Sequence, residues 1–417
     1  VNDRDVEVLI LGCGAAGLAA AAEAASLGAR VLVLEKNSEP ALKIRISGGG
    51  RCNLTTTLGP SEAEPLFGRE GGRFLRSALR RTSSRTIRAW VEEQGVPTVV
   101  EDFGKVFPAS GKAEDVARAL VARAREAGAG IRLRTRALAV EKIGSPMGPG
   151  PRWRVLTAAD ECLRARTLIL AVGGCSYPKT GTVGEGFSWL RSLGVGLVEP
   201  HPALAPLEAE GLSPLAGITL KECEAQIRGP SGKILLRRRR PLLFTHRGLS
   251  GPAAMDLCSC LERALGSRRV VIDLCPGVPE DVLLTTLFRK GGDAARTLQR
   301  ELDLPLRLVR HLLEIHGLPG KPLPQFRKEE RRGLCRILKR WDPGVRKSLG
   351  FTKAESTGGG VRLEEVDPET MELLRFPGLH VTGELLDVDG PIGGFSFWIA
   401  FATGAAAGRG AALSLRG

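Results

Sequence analysis

Gly12-Cys13-Gly14-Ala15-Ala16-Gly17 follows the apolar, β-branched run of residues 6–11 and opens an Ala-rich stretch that reaches Leu27. The three glycines have different tasks at that spacing. Gly12 permits a tight turn out of a strand, Gly14 lets a pyrophosphate approach the backbone, and Gly17 lets the following helix pack close to the strand. The free N–H groups of the first helical turn, among them those of Ala15 and Ala16, then face the phosphates at the positive end of the helix. Gly28 stops that helix, and Val31 to Leu34 form a second strand that ends at Glu35. This is a βαβ unit. Glu35 stands 18 residues after Gly17, where its carboxylate can accept hydrogen bonds from both ribose hydroxyls of an adenosine. The same carboxylate would repel a 2′-phosphate, so NADP is not expected at this site. A glycine motif alone is a weak signal, but strand, helix and terminal acid together make a strong one.

A chain of 417 residues exceeds one ordinary core, so two or three domains are expected. Lys and Arg outnumber Asp and Glu by 60 to 46, a net charge of +14. Such an excess suits nucleic acid, an anionic surface or acidic small molecules. Only Arg237 to Arg240 forms a compact basic run, however, and a solvated strand or hairpin face is the favoured reading of it. The nine Cys are odd in number and form no C-x-x-C pair, which argues against a disulfide framework and a zinc ribbon. His311 and His316 lack metal-ligand spacing, so no metal is expected. Residues 8–22 are apolar, but they contain three glycines and follow Asp3, Asp5 and Glu7, unlike a secretory leader. Residues 393–408 are too few to span a bilayer. Reduced thiols and the lack of a targeting signal make the cytoplasm the expected compartment.

Further along, residues 73–94 and 114–127 read as helices, the second with apolar positions at 116, 120, 121 and 124. Residues 131–143 and 152–157 read as strands joined by a Gly/Pro linker at 144–151, and 167–172 as another buried strand. Short strand-like runs follow at 218–228, 233–244 and 269–275, and then a basic helical stretch. The expected fold is α/β: a Rossmann-type FAD-binding domain of the two-dinucleotide-binding-domain flavoprotein type, with an inserted β-rich plus helical domain. Its parts are 1–189, the insertion 190–345 (β-rich 190–280, helical 281–345) and 346–417. FAD is favoured over NAD because two more segments suit a long cofactor. Residues 167–174 resemble the second dinucleotide-contact strand of FAD proteins, bringing in Ala171, Val172 and Gly173. Near the end, residues 379–384 form a strand running into Gly383-Glu384. Gly393, Gly394, Phe395 and Ser396 open a last helix whose N-terminus can stabilise negative charge on a reduced ring.

Lys43-Ile44-Arg45-Ile46-Ser47-Gly48-Gly49-Gly50-Arg51-Cys52-Asn53-Leu54-Thr55 resembles the signature of the YhiN-like and BaiN-like (aminoacetone-oxidase-like) FAD-binding flavoproteins. Residues 176–181, 244–252 and 383–404 carry the same resemblance, which covers nearly the whole chain. It implies non-covalent FAD in a two-part domain with the reactive ring near the domain boundary. It implies that Gly48, Gly49 and Gly50 bring backbone N–H groups to the cofactor, and that Arg51, Cys52 and Asn53 line the isoalloxazine. Lys36, Lys43, Ser47 and Leu138 complete the expected contacts. Ala41 stands where many relatives have Gly. Ser396 and Trp398 stand where relatives often have Asn and Gln, so a pocket reshaped by Trp398 is expected.

His246 is the first candidate proton donor, because imidazole titrates near neutrality. A loop-holding hydrogen bond is the alternative role. Tyr177, the one Tyr of the chain, could orient a carbonyl oxygen or simply pack. Cys52 reads as a packing residue, since it lacks a C-x-x-C partner. The expected function is an FAD-dependent reductase passing hydride from NAD(P)H, bound transiently, to a small organic substrate with an activated C=C or C=O. An oxidase of amines or aminoketones using O₂ is one alternative. A nucleic-acid-associated, tRNA-modifying flavoprotein is another, less favoured because aromatics make up 5% and do not interleave with basic residues. Oligomeric state is left open.

Overall fold

The computed structural model describes residues 5–143, 150–263, 267–318 and 320–416. The linker expected at 144–151 lies outside them apart from Gly150 and Pro151. Two compact units emerge, residues 1–200 with 356–417, and residues 201–355. Both crossings fall about ten residues later than the expected 189/190 and 345/346. The reason is the strand Leu197–Ala203, which pairs with Ser356–Val361 and so keeps its first residues with the larger unit.

The larger unit is a Rossmann-type fold. Strand β1 (Asp5–Leu11) lies parallel to β2 (Val31–Leu34) on one side and to Cys162–Leu170 on the other. Gly130–Arg132 extends the sheet beyond β2, again in parallel. On the far side, Leu379–Val381 pairs in parallel with Leu168–Leu170, and Trp153–Thr157 pairs in antiparallel with residues 162–165. The last strand is Ala137–Lys142. Val8 to Leu11 are essentially unexposed, which explains why this strand reads as a continuous apolar run.

Helix α1 (Ala15–Ser26) and the terminal helix Phe395–Leu413 pack side by side. A β-carbon at Gly404 would lie 2.2 Å from the Ala16 carbonyl oxygen, and one at Gly408 2.2 Å from that of Ala20. The two glycines, one turn apart, therefore set a backbone-to-backbone approach that any side chain would open. Helix Ala113–Glu126 buries Val116, Leu120, Val121 and Ala124 as its periodicity predicts, with acids in its first turn and arginines in its last.

The expected helix 73–94 is two helices, Gly68–Arg81 and Ser84–Glu92. Ser83 breaks it, because its hydroxyl accepts from the Thr86 N–H at 3.2 Å and caps a new start. The expected strand 131–143 is likewise divided. Arg134 takes a left-handed conformation (φ 54°), and Thr135 N–H returns to the Glu35 carbonyl at 2.8 Å.

The second unit has its own core around a six-stranded antiparallel sheet, in the order 269–273, 219–228, 234–245, 248–250, 207–208, 347–348. Helices Glu280–Thr286, Ala294–Leu302, Leu306–Ile315 and Lys328–Arg340 follow. Arg237 to Arg240 lie on its strand Ile234–Thr245. Arg238 and Arg240 turn to the unexposed carboxylate of Asp256, while Arg239 pairs with Glu222.

His380, on the strand beside residues 168–170, is 1% exposed. Its Nδ1 contacts the Thr370 carbonyl at 2.8 Å, and among the described residues its Nε2 has no partner. Burial holds its pKa below the ordinary 6.5, against the pull of the Thr370 carbonyl, Glu372 and Asp367. The folded state therefore keeps the ring neutral. Its contribution is complete above pH 6.5 and is lost as pH falls from there through the lowered value. Unfolding free energy of the wild type should drop by up to about 1.4 kcal/mol per pH unit in that window, and less in His380→Gln. Parallel denaturant curves between pH 7.5 and 5 check this, and equal slopes for both proteins would contradict it.

Candidate cofactor site

The turn between β1 and α1 is built by steric exclusion. Gly12 has φ 100°, and a β-carbon there would lie 2.4 Å from the Ala171 carbonyl oxygen. At Gly17 it would lie 2.0 Å from the Gly12 carbonyl oxygen. Gly14 differs, because a β-carbon there meets nothing within 4 Å. Open space thus lies at the start of α1, whose N-cap is Gly14. No side chain caps this helix, and no acid stands in its first turn. A helix start left bare in this way presents free N–H groups and a partial positive charge that suit an anion.

Glu35 closes the turn from the other side. Its buried carboxylate accepts from Cys13 N–H at 2.9 Å, and from the backbone and amide N–H groups of Asn37 at 2.9 and 2.7 Å. Asn37 also donates to the Thr180 carbonyl at 3.1 Å, and Lys36 pairs with Glu185, so residues 36–37 are fastened to segment 180–185. Ala171, Val172 and Gly173 follow the strand that runs beside Gly12.

Three distant segments meet at a second point. Lys43 pairs with Glu384 and donates to Ser176 Oγ at 2.6 Å, while Ser176 Oγ donates to the other Glu384 oxygen at 3.0 Å. Thr357 Oγ1 accepts from the N–H groups of Cys175 and Ser176 at 2.8 and 3.2 Å. Gly383 brings this cluster to the glycine turn, since a β-carbon there would be 3.5 Å from that of Ala16. Glu35 and Glu384 therefore flank the same helix start.

The signature forms a loop of left-handed backbone. Gly48, Gly49 and Gly50 have φ of 56°, 70° and 85°, and Cys52 has φ 61°. Gly49 and Gly50 face open space. With its amide turned so that oxygen and nitrogen both meet complementary groups, Asn53 donates to the Thr55 carbonyl at 3.1 Å and accepts from Gly394 N–H at 3.0 Å. A β-carbon at Gly394 would lie 2.6 Å from the Thr55 carbonyl group, so the terminal helix starts against the signature. This helix too lacks a side-chain cap and a first-turn acid. Thr55 Oγ1, wholly buried at the junction, has no partner among the described residues. Ten residues separate Gly394 from Gly404, which abuts Ala16, so the two bare helix starts are roughly 15 Å apart along the axis. Only an elongated ligand reaches both.

Other expected residues fall elsewhere. Trp398 does not shape a pocket. Its indole is unexposed and donates to the Thr82 carbonyl at 2.7 Å. Phe395 is buried against Phe67, and Ser396 is half-buried. Arg51 is half-exposed, paired with Glu101 and 4.4 Å above the Phe107 ring. Burial pushes the Cys52 thiol up to about 12, the Ser47 hydrogen bond only partly offsetting it, so a thiolate is excluded at neutral pH. The Leu138 carbonyl accepts from the Trp189 indole at 3.0 Å. Tyr177 is half-buried beside Ser176, with φ 53°. Ala41 has φ 60° at the start of helix Leu42–Ile46, a conformation in which Gly is strain-free. His246 is exposed on the turn between strands Ile234–Thr245 and Gly248–Ser250 of the second unit. Sequence reasoning missed Ser176, Ser356 and Thr357 as members of the polar cluster. Their signal was hydroxyl residues within two positions of a glycine run, Gly173-Gly174 and Gly358 to Gly360. Among the described residues, no group of three or more His, Cys, Asp or Glu could hold a metal, and no helix is long and apolar enough to cross a membrane.

A family profile described as HI0933-like protein Rossmann domain matches residues 6–410. The ribosomal RNA dihydrouridine synthase of Escherichia coli (strain K12) is 30% identical over 399 residues, 94% of each chain. The 3-dehydro-bile acid delta(4,6)-reductase of Clostridium scindens is 29% identical over 414 residues, 97% of this chain and 98% of that one. Among solved structures, the 3-ketosteroid-delta4-(5alpha)-dehydrogenase of Rhodococcus jostii RHA1 superposes with a TM-score of 0.53 at 15% identity, covering 98% of this chain and 97% of its own. That last likeness is one of fold.

Proposed function

The chain belongs to the HI0933-like Rossmann-domain family, and on that footing we propose that it is an FAD-dependent oxidoreductase reducing a carbon–carbon double bond conjugated with a carbonyl. The observation that carries this reading is the convergence of the Gly12–Gly17 turn, the Lys43–Ser176–Glu384 cluster and the start of the terminal helix along one roughly 15 Å path. When bound, FAD supplies a two-electron relay between a nicotinamide donor and the substrate.

The residues around it have separable roles. The start of α1 and Gly14 hold the pyrophosphate, and Glu35 accepts from the ribose hydroxyls. Lys43 and Glu384 hold the middle of the cofactor. Gly48 to Gly50, Asn53 and the start of the terminal helix would hold the ring, and the positive end of that helix would favour negative charge there. Saturation needs a hydride at the carbon remote from the carbonyl and a proton at the nearer carbon. Tyr177, next to the polar cluster, donates that proton and regains one from solvent.

For the substrate, RNA uridine is favoured over a free enone. A dihydrouridine product and a delta(4,6)-reduction both follow from saturating a double bond conjugated with a carbonyl, so one active-site chemistry serves both names. The net charge of +14 suits a polyanion. The second unit alone carries 28 Lys and Arg against 17 Asp and Glu.

Anaerobic mixing with NADH or NADPH should bleach the flavin absorbance. Oligouridylate should then restore it as uracil absorbance falls, whereas 4-androstene-3,17-dione should restore it poorly. Tyr177→Phe should slow the second step about 10²- to 10⁴-fold and leave the first unchanged. If neither nicotinamide bleaches the flavin, the reductase reading fails. Restoration by the steroid alone would move the substrate to free enones.

A further inference from the structure

Helix Gly68–Arg81 carries five arginines and a single acid, Glu70. Arg69, Arg73, Arg76 and Arg80 recur at i, i+4, i+7 and i+11, so they line one exposed face over three turns. The face forms one wall of a groove of about 370 Å³, lined by Arg73, Arg76, Arg80 and Arg81, with Pro368 and Glu369 opposite. Two of these cations are engaged, Arg76 by both oxygens of Glu64 and Arg81 by Glu369 at 2.8 Å. Among the described residues, Arg69, Arg73 and Arg80 have no ion-pair partner.

The helix is also fixed to the candidate cofactor site. A β-carbon at Gly71 would lie 2.8 Å from Val388, and Phe67, just before the helix, packs edge-on against Phe395 at 5.9 Å. Gly390 lies against the same Phe67 ring. The arginine face thus stands on the far side of the loop that opens the terminal helix.

We propose that this arginine-lined groove binds the phosphodiester backbone of the RNA substrate. The proposal rests on the RNA reading above and adds the surface that positions the strand. Evenly spaced guanidinium groups match a ligand that repeats one charge per nucleotide, and each can grip a phosphate with two parallel hydrogen bonds. A single phosphate would leave most of the row unused. A membrane surface fits poorly, because none of the exposed large apolar side chains lies on this helix, as insertion into lipid requires.

The test uses the FAD-loaded full chain and a fluorescently labelled oligouridylate. The variant Arg69→Gln/Arg73→Gln/Arg80→Gln removes only the three arginines without ion-pair partners. A second variant, Lys328→Gln/Arg332→Gln/Arg336→Gln, neutralises an equally basic exposed helix face in the second unit. Wild type should bind RNA with strong salt dependence. The groove variant should lose at least about tenfold in affinity, and its slope of log K against log[salt] should be shallower by about two, three contacts at roughly 0.7 each. Its thermal unfolding and its anaerobic bleaching by the nicotinamide should match wild type. If the groove variant binds like wild type, the groove is not the RNA surface, although the substrate reading stands wherever RNA is still reduced. A wild type that does not bind RNA at low salt overturns both.

Discussion

Gly17→Ala is expected to cost the fold about 3 kcal/mol or more, while Gly14→Ala, three residues earlier, should cost almost nothing in stability and yet yield colourless protein. The difference follows from what each added methyl group would touch. At Gly17 it would stand 2.0 Å from the Gly12 carbonyl oxygen, a backbone atom that cannot rotate away. Helix α1 would have to lift off β1, together with the terminal helix packed on it through Gly404 and Gly408. Gly12→Ala should behave like Gly17→Ala, because it adds a left-handed φ of 100° to a 2.4 Å contact with Ala171. Gly14 sits in extended backbone (φ −89°, ψ −164°) that Ala adopts without strain, and its methyl group meets no protein atom within 4 Å. The apo-protein should therefore unfold at the wild-type denaturant concentration or slightly above it. Only a ligand pressed against that backbone would feel the methyl group. Flavin absorbance per polypeptide and denaturant curves of the apo-proteins separate the two effects. A Gly14→Ala protein that keeps full FAD affinity would remove the pyrophosphate from this turn.

Trp398→Ala should destabilise the protein by about 3–5 kcal/mol while leaving FAD stoichiometry and substrate KM unchanged in the molecules that fold. The indole is unexposed, so truncation leaves a large cavity between the terminal helix and its neighbours. It also deprives the Thr82 carbonyl of its 2.7 Å hydrogen bond. Thr82 stands where helix Gly68–Arg81 ends and Ser83 caps the next helix, so the indole ties the terminal helix to that junction. Trp398→Phe keeps most of the volume and should lose roughly 1–2 kcal/mol, mainly the hydrogen bond and the unsatisfied carbonyl. Thermal and denaturant unfolding report the first effect, and steady-state kinetics on the folded fraction the second. If Trp398→Gln changed substrate preference without loss of stability, the side chain would belong to the pocket after all.

The βαβ start, the separate steric tasks of Gly12 and Gly17, the position of Glu35 at the end of β2 and the buried face of helix 113–126 were all readable from residue order. Each depends on a short stretch of backbone. A left-handed φ or a missing β-carbon is a local demand, and a period of 3.6 is a local pattern. The partners of side chains obey no such rule. Lys43 meets a hydroxyl 133 positions away and a carboxylate 341 positions away, and although Lys43 and Glu384 each read as a cofactor contact, nothing local pairs them with each other or with Ser176. The direction of Trp398 was equally hidden, because a helix of mostly apolar residues buries nearly all of its faces and names no single neighbour. Ser83 sat inside a helical pattern, and it became a cap only once the backbone turned there. The arginine row was present in the spacing of residues 69 to 80, but it became a groove only when Pro368 and Glu369 arrived opposite it from nearly 300 positions away. Backbone geometry is written over a few residues at a time. The polar cluster and the surfaces that can hold a substrate depend on which distant segments the packed core brings together.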